Sequence, residues 1–130
     1  MDGYSEEVLD HFQHPRNAGM IENASGVGES GDPGRGEFLK VFLKVEGHTI
    51  TDVKYQARGC PASIACASAM SELAMGKNLD DAMMIADEDI VEALNGLPEP
   101  KLYCSNLGSM ALRKAIIDYF DNHEPKEGVR

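Results

Sequence analysis

The sequence predicts an α+β fold in which a small antiparallel sheet of about three strands is covered by helices. A period-two alternation of apolar and polar residues comes first, and segments with helical spacing follow it. Strands grouped before helices are typical of α+β proteins. With 130 residues, the chain has the length of one ordinary domain, so we expect a single domain over 1–130.

The N-terminal part of the chain combines one helix with a long loop. Ser5 is a suitable N-cap for a helix that carries two glutamates in its first turn and ends before Pro15. Residues 16–36 contain six glycines. Because glycine imposes little backbone restraint, this stretch is predicted to be a long mobile loop with a short strand near 24–27.

A β-hairpin is predicted over residues 37–57, followed by helices. Alternate positions of its first strand are aliphatic, namely Leu39, Val41, Leu43 and Val45. This is the period expected of a half-buried strand. The turn falls at Glu46-Gly47-His48, and the return strand leads to Gly59-Cys60. Helical spacing then predicts helices at about 61–75, 80–85, 87–94 and 106–120.

Composition and charge narrow the classes of partner and compartment. The net charge of −10 repels phosphate backbones, which argues against a nucleic-acid partner. No apolar run approaches the ~18 residues that span a bilayer, so no membrane partner is expected. The acidic, polar N-terminus lacks the pattern of a signal peptide, and we expect a cytoplasmic protein. The three cysteines are therefore expected to be reduced thiols.

The three cysteines are predicted to have two different roles. Cys66 falls on an apolar helix face and is interpreted as a small core residue. Cys60 and Cys104 each precede a predicted helix, where unpaired N–H groups and the helix dipole favour thiolate over thiol. Two such cysteines could meet in one electropositive pocket, which the sequence alone does not establish.

Three stretches together resemble the IscU/NifU-type iron–sulfur cluster assembly scaffold proteins. They are YSEEVLDHFQHPRNAG, GCPASIACASAMSELAMGK and LPEPKLYCSNLGSMALRKAIIDY. The resemblance implies the same α+β fold. It also implies a carrier rather than an enzyme, one that accepts sulfur from a cysteine desulfurase, assembles a [2Fe-2S] cluster with iron and passes it to recipient apo-proteins.

Position by position, the resemblance implies that Cys60 and Cys104 are metal ligands. GVGESGDPG falls where the family has Cys-Gly-Asp, which makes Asp32 the expected carboxylate ligand and places Ser30 at the remaining thiol position. Tyr103 stands where the family usually has histidine. Ser30 is either natural or an engineered replacement of cysteine. Serine and tyrosine oxygens are poorer ligands for cluster iron than thiolate, so a cluster would be labile, shared across a homodimer, or absent.

A further segment and two alternatives complete the interpretation. LPEPK at 97–101 resembles the family's Leu-Pro-Pro-Val-Lys stretch, which implies docking of an Hsp70-type chaperone there.

One alternative is a zinc-dependent persulfide acceptor, although that branch of the family carries an insertion where the stretch 76–101 of this chain is short. The other is a degenerate member that binds the desulfurase without metal, which Ser30 and Tyr103 favour. The bound metal and its identity would separate these hypotheses.

Overall fold

The computed structural model describes residues 3–123 and confirms the predicted α+β fold. The elements in chain order are α1 (Glu6–Gln13), β1 (Gly26–Gly31), β2 (Phe38–Glu46), β3 (Thr49–Arg58), α2 (Pro61–Ala74), α3 (Leu79–Met83), α4 (Asp87–Ala93) and α5 (Tyr103–His123). A 3₁₀ turn at Glu99–Lys101 leads into α5. Within the described residues, no helix is long and apolar enough to cross a membrane.

The strands form one antiparallel sheet in the order β1-β2-β3. The predicted hairpin is confirmed, and its turn places Gly47 and His48 at positive φ, as tight hairpin turns require. The prediction of a mobile loop over 16–36 is wrong for residues 26–31. These residues pair with β2 from Gly26↔Leu43 to Gly31↔Phe38, because the backbone ladder and helix α5 hold them despite their glycines.

The short loop between β1 and β2 is tied to the end of β3 by Arg58. Its guanidinium donates to the carbonyl oxygens of Gly36 at 3.2 Å and Asp32 at 3.3 Å, and also to that of Pro33. Within the loop, the Asp32 N–H donates to the Glu37 carbonyl at 2.9 Å. These contacts fix where the chain enters β2, and therefore where Glu37 lies.

Helices α2 and α5 pack against each other and against the sheet to enclose the core. Cys66 is 1% exposed in this core, which confirms its predicted packing role. The largest fully buried aliphatic side chains include Leu43, Ile50, Leu79, Ile90, Leu94, Leu112 and Ile116. Each contributes about 1.5–3 kcal/mol relative to exposure. Ser5 caps α1 as predicted by accepting the Val8 N–H at 3.0 Å.

Candidate metal centre

Three separate chain segments bring two thiols and one carboxylate to one place. Cys60 is the N-cap of α2, Cys104 lies in the first turn of α5, and Glu37 directly precedes β2. One ligand atom from each lies within 4.8 Å of the other two. Among the residues that the structure describes, this is the group of histidine, cysteine and acidic side chains close enough to hold a metal ion. The two thiols therefore do meet.

The hydroxyl of Ser63 lies beside all three of these side chains. Its Oγ donates to Glu37 Oε2 at 2.5 Å and lies 3.6 Å from Cys60 Sγ and 3.4 Å from Cys104 Sγ. The Cys60 N–H also points to Glu37 Oε2 at 3.4 Å. Three residues separate Ser63 from Cys60, so about one helical turn brings both side chains to the same end of α2.

Gly59 allows the approach of Glu37 to the start of α2. Its φ is +154°, a conformation that other residues rarely adopt. A Cβ at this position would lie 2.9 Å from Glu37 Cγ and 3.0 Å from Ser63 Oγ. Pro61 then begins the helix, where its missing N–H costs nothing. In the sequence Gly59-Cys60-Pro61, the glycine thus leaves room for Glu37 beside the thiol, and the proline begins α2 directly after β3.

Burial outweighs the helix dipole at Cys104. Helix α5 begins at Tyr103, three residues earlier than predicted, so Cys104 lies inside the helix and is 1% exposed. Burial raises the pKa of its thiol to about 11, and the hydrogen bond with Ser63 opposes this rise. The expectation of a stabilised thiolate is wrong for Cys104 in the unloaded protein. A cation held by this thiol would have to displace its proton, so its binding would strengthen as pH rises.

Hydrogen bonds keep Glu37 ionised and Tyr103 neutral. Burial acts to raise the pKa of the Glu37 carboxyl, but hydrogen bonds from Ser63, Tyr103 and Cys60 together lower it. The hydrogen bond to Glu37, reinforced by burial and by Cys104, raises the pKa of the Tyr103 hydroxyl. Tyr103 is 51% exposed and remains a phenol that donates to its neighbours. A Tyr103 phenolate is therefore disfavoured at neutral pH.

Lys101 supplies positive charge at the edge of the group. Its pKa is raised, mainly by the proximity of Cys60 and next by that of Tyr4. This lysine ends the 3₁₀ turn before α5, and its side chain interacts with Cys60. A cation at this place offsets part of the negative charge that two thiolates and a carboxylate would gather.

Two residues that the sequence places at the centre lie elsewhere. Asp32 does not join the two thiols: it is exposed, and its Oδ1 accepts the Gly34 N–H at 2.9 Å within the loop. The carboxylate that lies within 4.8 Å of both thiols belongs to Glu37. Ser30 is buried on β1, and its hydroxyl donates to the Leu107 carbonyl at 2.7 Å, one helical turn beyond Cys104. That bond ties β1 to α5.

Sequence reasoning missed two members of this group, Glu37 and Ser63. A signal for Glu37 was present, because Gly36-Glu37 repeats the glycine–acid pair of Gly31-Asp32 immediately before a strand. A signal for Ser63 was its spacing of three from Cys60 behind a helix-initiating proline. Neither signal is sufficient by itself to place its residue beside the two thiols. For Glu37, the placement also depends on where β1 ends.

The fold and this group define a class of protein. It is a small α+β domain in which two thiols and a carboxylate, close enough together to hold a metal ion, meet where two helices begin. The sequence model of the NifU-like N-terminal domain matches residues 3–126. The chain belongs to this family.

Relatives with known names and structures agree with that assignment. The iron–sulfur cluster assembly scaffold protein IscU 1 of Archaeoglobus fulgidus is 49% identical over 117 residues, covering 90% of this chain and 76% of the relative. The scaffold protein IscU of Escherichia coli K12 is 39% identical over 127 residues, covering 95% and 98%. A crystal structure of a putative SUF-system scaffold from Fervidobacterium islandicum AW-1 matches with a TM-score of 0.73 and 26% identity. It covers 87% of this chain and 96% of that one.

Proposed function

We propose that this chain is a scaffold for iron–sulfur cluster assembly. It accepts sulfur from a cysteine desulfurase and iron, builds a labile [2Fe-2S] cluster and passes it to recipient apo-proteins. Residues 1–130 act as one scaffold domain, as a carrier without turnover of its own. The relatives named as scaffolds, 39–49% identical over most of the chain, support this role.

The observation that carries the proposal is the convergence of Cys60, Cys104 and Glu37 within 4.8 Å. Thiolates are the ligands that cluster iron favours, while a carboxylate is a harder and weaker ligand for it. A site with two thiolates and one carboxylate therefore holds a cluster less firmly than four cysteines would. Weak retention suits a carrier that must release its product.

Glu37 takes the role that the family motif suggested for Asp32. The family has Cys-Gly-Asp in this region, and Gly36-Glu37 supplies the same glycine–acid pair at the end of the loop. When Gly36-Glu37 is aligned with the Gly-Asp of the family motif, Arg35 rather than Ser30 occupies the position of the missing thiol. The chain then keeps two of the three cysteine ligands, and its one acidic ligand, Glu37, is longer by one methylene than the family's aspartate.

A homodimer would complete the ligand set for a cluster. Two copies of the chain would supply four thiolates, the full set for a [2Fe-2S] centre. Leu102 and Tyr103, which are 43% and 51% exposed beside Cys104, offer apolar surface at the place where two such sites would face each other. The cluster would then be shared and would come apart with the dimer.

Docking of an Hsp70-type chaperone at Leu97–Lys101 would act directly on the site. Glu99 and Pro100 are exposed, and the 3₁₀ turn presents this segment at the start of α5. Lys101 also interacts with Cys60. A partner that engages this turn would move the lysine and the first turn of α5 together, and so weaken the hold on the cluster.

A second candidate function is that of a zinc-dependent persulfide acceptor. Two cysteine sulfurs and a carboxylate oxygen are ligands of ordinary tetrahedral zinc sites, and here they lie close enough together to hold one ion. The third candidate, a metal-free module that binds the desulfurase, is favoured by the loss of one thiol and of the family's histidine. Metal and sulfide content separates all three.

Replacing Glu37 by glutamine is expected to weaken metal binding at least ~10-fold, because an amide is a neutral and poorer ligand than a carboxylate. The matched change, Asp32→Asn, should leave the affinity unchanged because Asp32 lies in the loop, outside the group. Both affinities can be measured with Zn²⁺ in competition with a chromophoric chelator. Loss of affinity in Asp32→Asn, with none in Glu37→Gln, would return the ligand role to Asp32.

A further inference from the structure

Ser63 faces both thiols and the carboxylate, although no motif of the chain marks it as a ligand. It is 8% exposed, and its Oγ lies 3.6 Å from Cys60 Sγ and 3.4 Å from Cys104 Sγ. A serine hydroxyl has one proton and two acceptor lone pairs. Because the proton is donated to Glu37 Oε2, the lone pairs are left for the two thiols. The lone pairs of Ser63 therefore face the region in which a metal ion bound to the two sulfurs would lie.

The distances match those between the corners of a tetrahedral metal site. With metal–sulfur bonds of about 2.3 Å and metal–oxygen bonds of about 2.1 Å, a sulfur and an oxygen at two corners lie roughly 3.6 Å apart. The two sulfur–oxygen distances to Ser63 are 3.6 and 3.4 Å. Ser63 therefore already lies near a corner position relative to both thiols.

Charge also favours a neutral oxygen at the remaining corner. Two thiolates and the Glu37 carboxylate carry three negative charges, one more than a divalent ion can offset. Lys101, held beside Cys60, compensates for about one charge. A fourth anionic ligand would leave an uncompensated charge in a partly buried place, whereas a serine hydroxyl adds none.

We propose that Ser63 supplies the fourth donor of this centre, as a neutral hydroxyl ligand to a tetrahedral divalent ion bound by Cys60, Cys104 and Glu37. The inference rests on the proposed metal-binding function and adds a ligand to that site. It gives Ser63 the ligand role that the family resemblance first suggested for Ser30. Two oxygens on one such ion lie about 3.4 Å apart, so the 2.5 Å contact between Ser63 and Glu37 lengthens on loading.

The matched variants Ser63→Cys and Ser30→Cys test this placement directly. The full-length protein and each variant are titrated anaerobically with Co²⁺, whose thiolate charge-transfer absorption grows with the number of bound sulfurs. In Ser63→Cys the absorption per bound Co²⁺ should rise by about half, as two thiolates become three, and affinity should increase by about tenfold or more. In Ser30→Cys both should stay at the parent values, because that side chain points to Leu107.

A second variant, Ser63→Ala, measures what the hydroxyl contributes in the natural chain. We expect about tenfold weaker Co²⁺ binding, while the absorption at saturation still reports two thiolates. Ser63→Thr, which retains the hydroxyl, should recover most of the affinity. Thermal unfolding of each metal-free variant shows whether a change in stability accounts for the loss, since a purely structural role would shift the melting temperature without this pattern.

The outcomes separate this inference from the proposed function. A parent protein that binds Co²⁺ through two thiolates, with Ser63→Cys adding no sulfur and Ser63→Ala unchanged in affinity, overturns the inference alone. Added thiolate absorption in Ser30→Cys instead of Ser63→Cys overturns it as well. A parent that binds no metal contradicts the proposed function. If Ser63→Cys does not fold, the affinities of Ser63→Ala and Ser63→Thr decide the question.

Discussion

Replacing Cys104 by alanine is expected to abolish cluster assembly. After anaerobic reconstitution, the parent protein should retain iron and acid-labile sulfide, and the Cys104→Ala protein should retain neither. The physical reason is that only two thiolates converge with Glu37, so the loss of one leaves a single soft ligand for iron. Cys60→Ala should have the same effect. Iron, zinc and sulfide per chain are the quantities to measure.

Cys66→Ala is the matched control, because it removes a thiol that lies in the core outside the metal group. This variant should keep its metal and sulfide and lose roughly 1 kcal/mol of unfolding free energy through the small cavity it leaves. Burial, with lesser effects of Cys104 and Cys60, raises the pKa of the Cys66 thiol, as expected of an inert core residue. Metal retained in Cys104→Ala, or lost in a folded Cys66→Ala, would contradict the assignment of ligands.

The same measurement distinguishes the three functions. Iron and sulfide near one cluster per two chains would support a scaffold whose cluster is shared by a homodimer. Zinc without sulfide would favour the persulfide acceptor. A parent protein with no metal would leave the role of a desulfurase-binding module.

Local pattern predicted most of the fold. The alternation in β2, the Ser5 cap and the proline at the start of α2 each act within a few residues, so the sequence reports them directly. Of strand β1 the sequence predicted only a short strand near 24–27, because the glycines of β1 carry no strand preference of their own. They are there for packing: side chains at Gly26 and Gly28 would collide with α5, a contact nearly 90 residues away in the chain.

The site was predicted only in part, for a related reason. Cys60 and Cys104 were identified because each lies beside a helix start. The choice between Asp32 and Glu37 depends on where β1 ends and how Arg58 holds the loop. The burial that raises the pKa of Cys104 likewise comes from distant segments, and no local pattern reports it. Glu37 and Ser63 could be identified only from the structure, which brings the starts of β2, α2 and α5 together.

Replacing Gly28 by alanine is expected to destabilise the protein by at least about 3 kcal/mol, a large part of the stability of a domain of this size. A Cβ at this position would lie 2.3 Å from the Ala115 nitrogen and 2.4 Å from the Ala111 carbonyl oxygen. Both atoms belong to the backbone of α5, so no side chain can turn away to make room. The urea midpoint of unfolding, followed by circular dichroism, measures the effect.

The control for Gly28→Ala is Gly34→Ala, where the nearest atom to the new methyl group is Asp32 Oδ1 at an ordinary 3.5 Å. This change should alter the stability by no more than about 0.5 kcal/mol. Equal urea midpoints for Gly28→Ala and the parent would show that β1 does not pack closely on α5. The close approach matters for function, because β1 leads directly into the loop that ends at Glu37, and α5 carries Cys104. Wherever Gly28→Ala separates the two elements, we expect the carboxylate and the thiol to move apart and metal affinity to fall with stability.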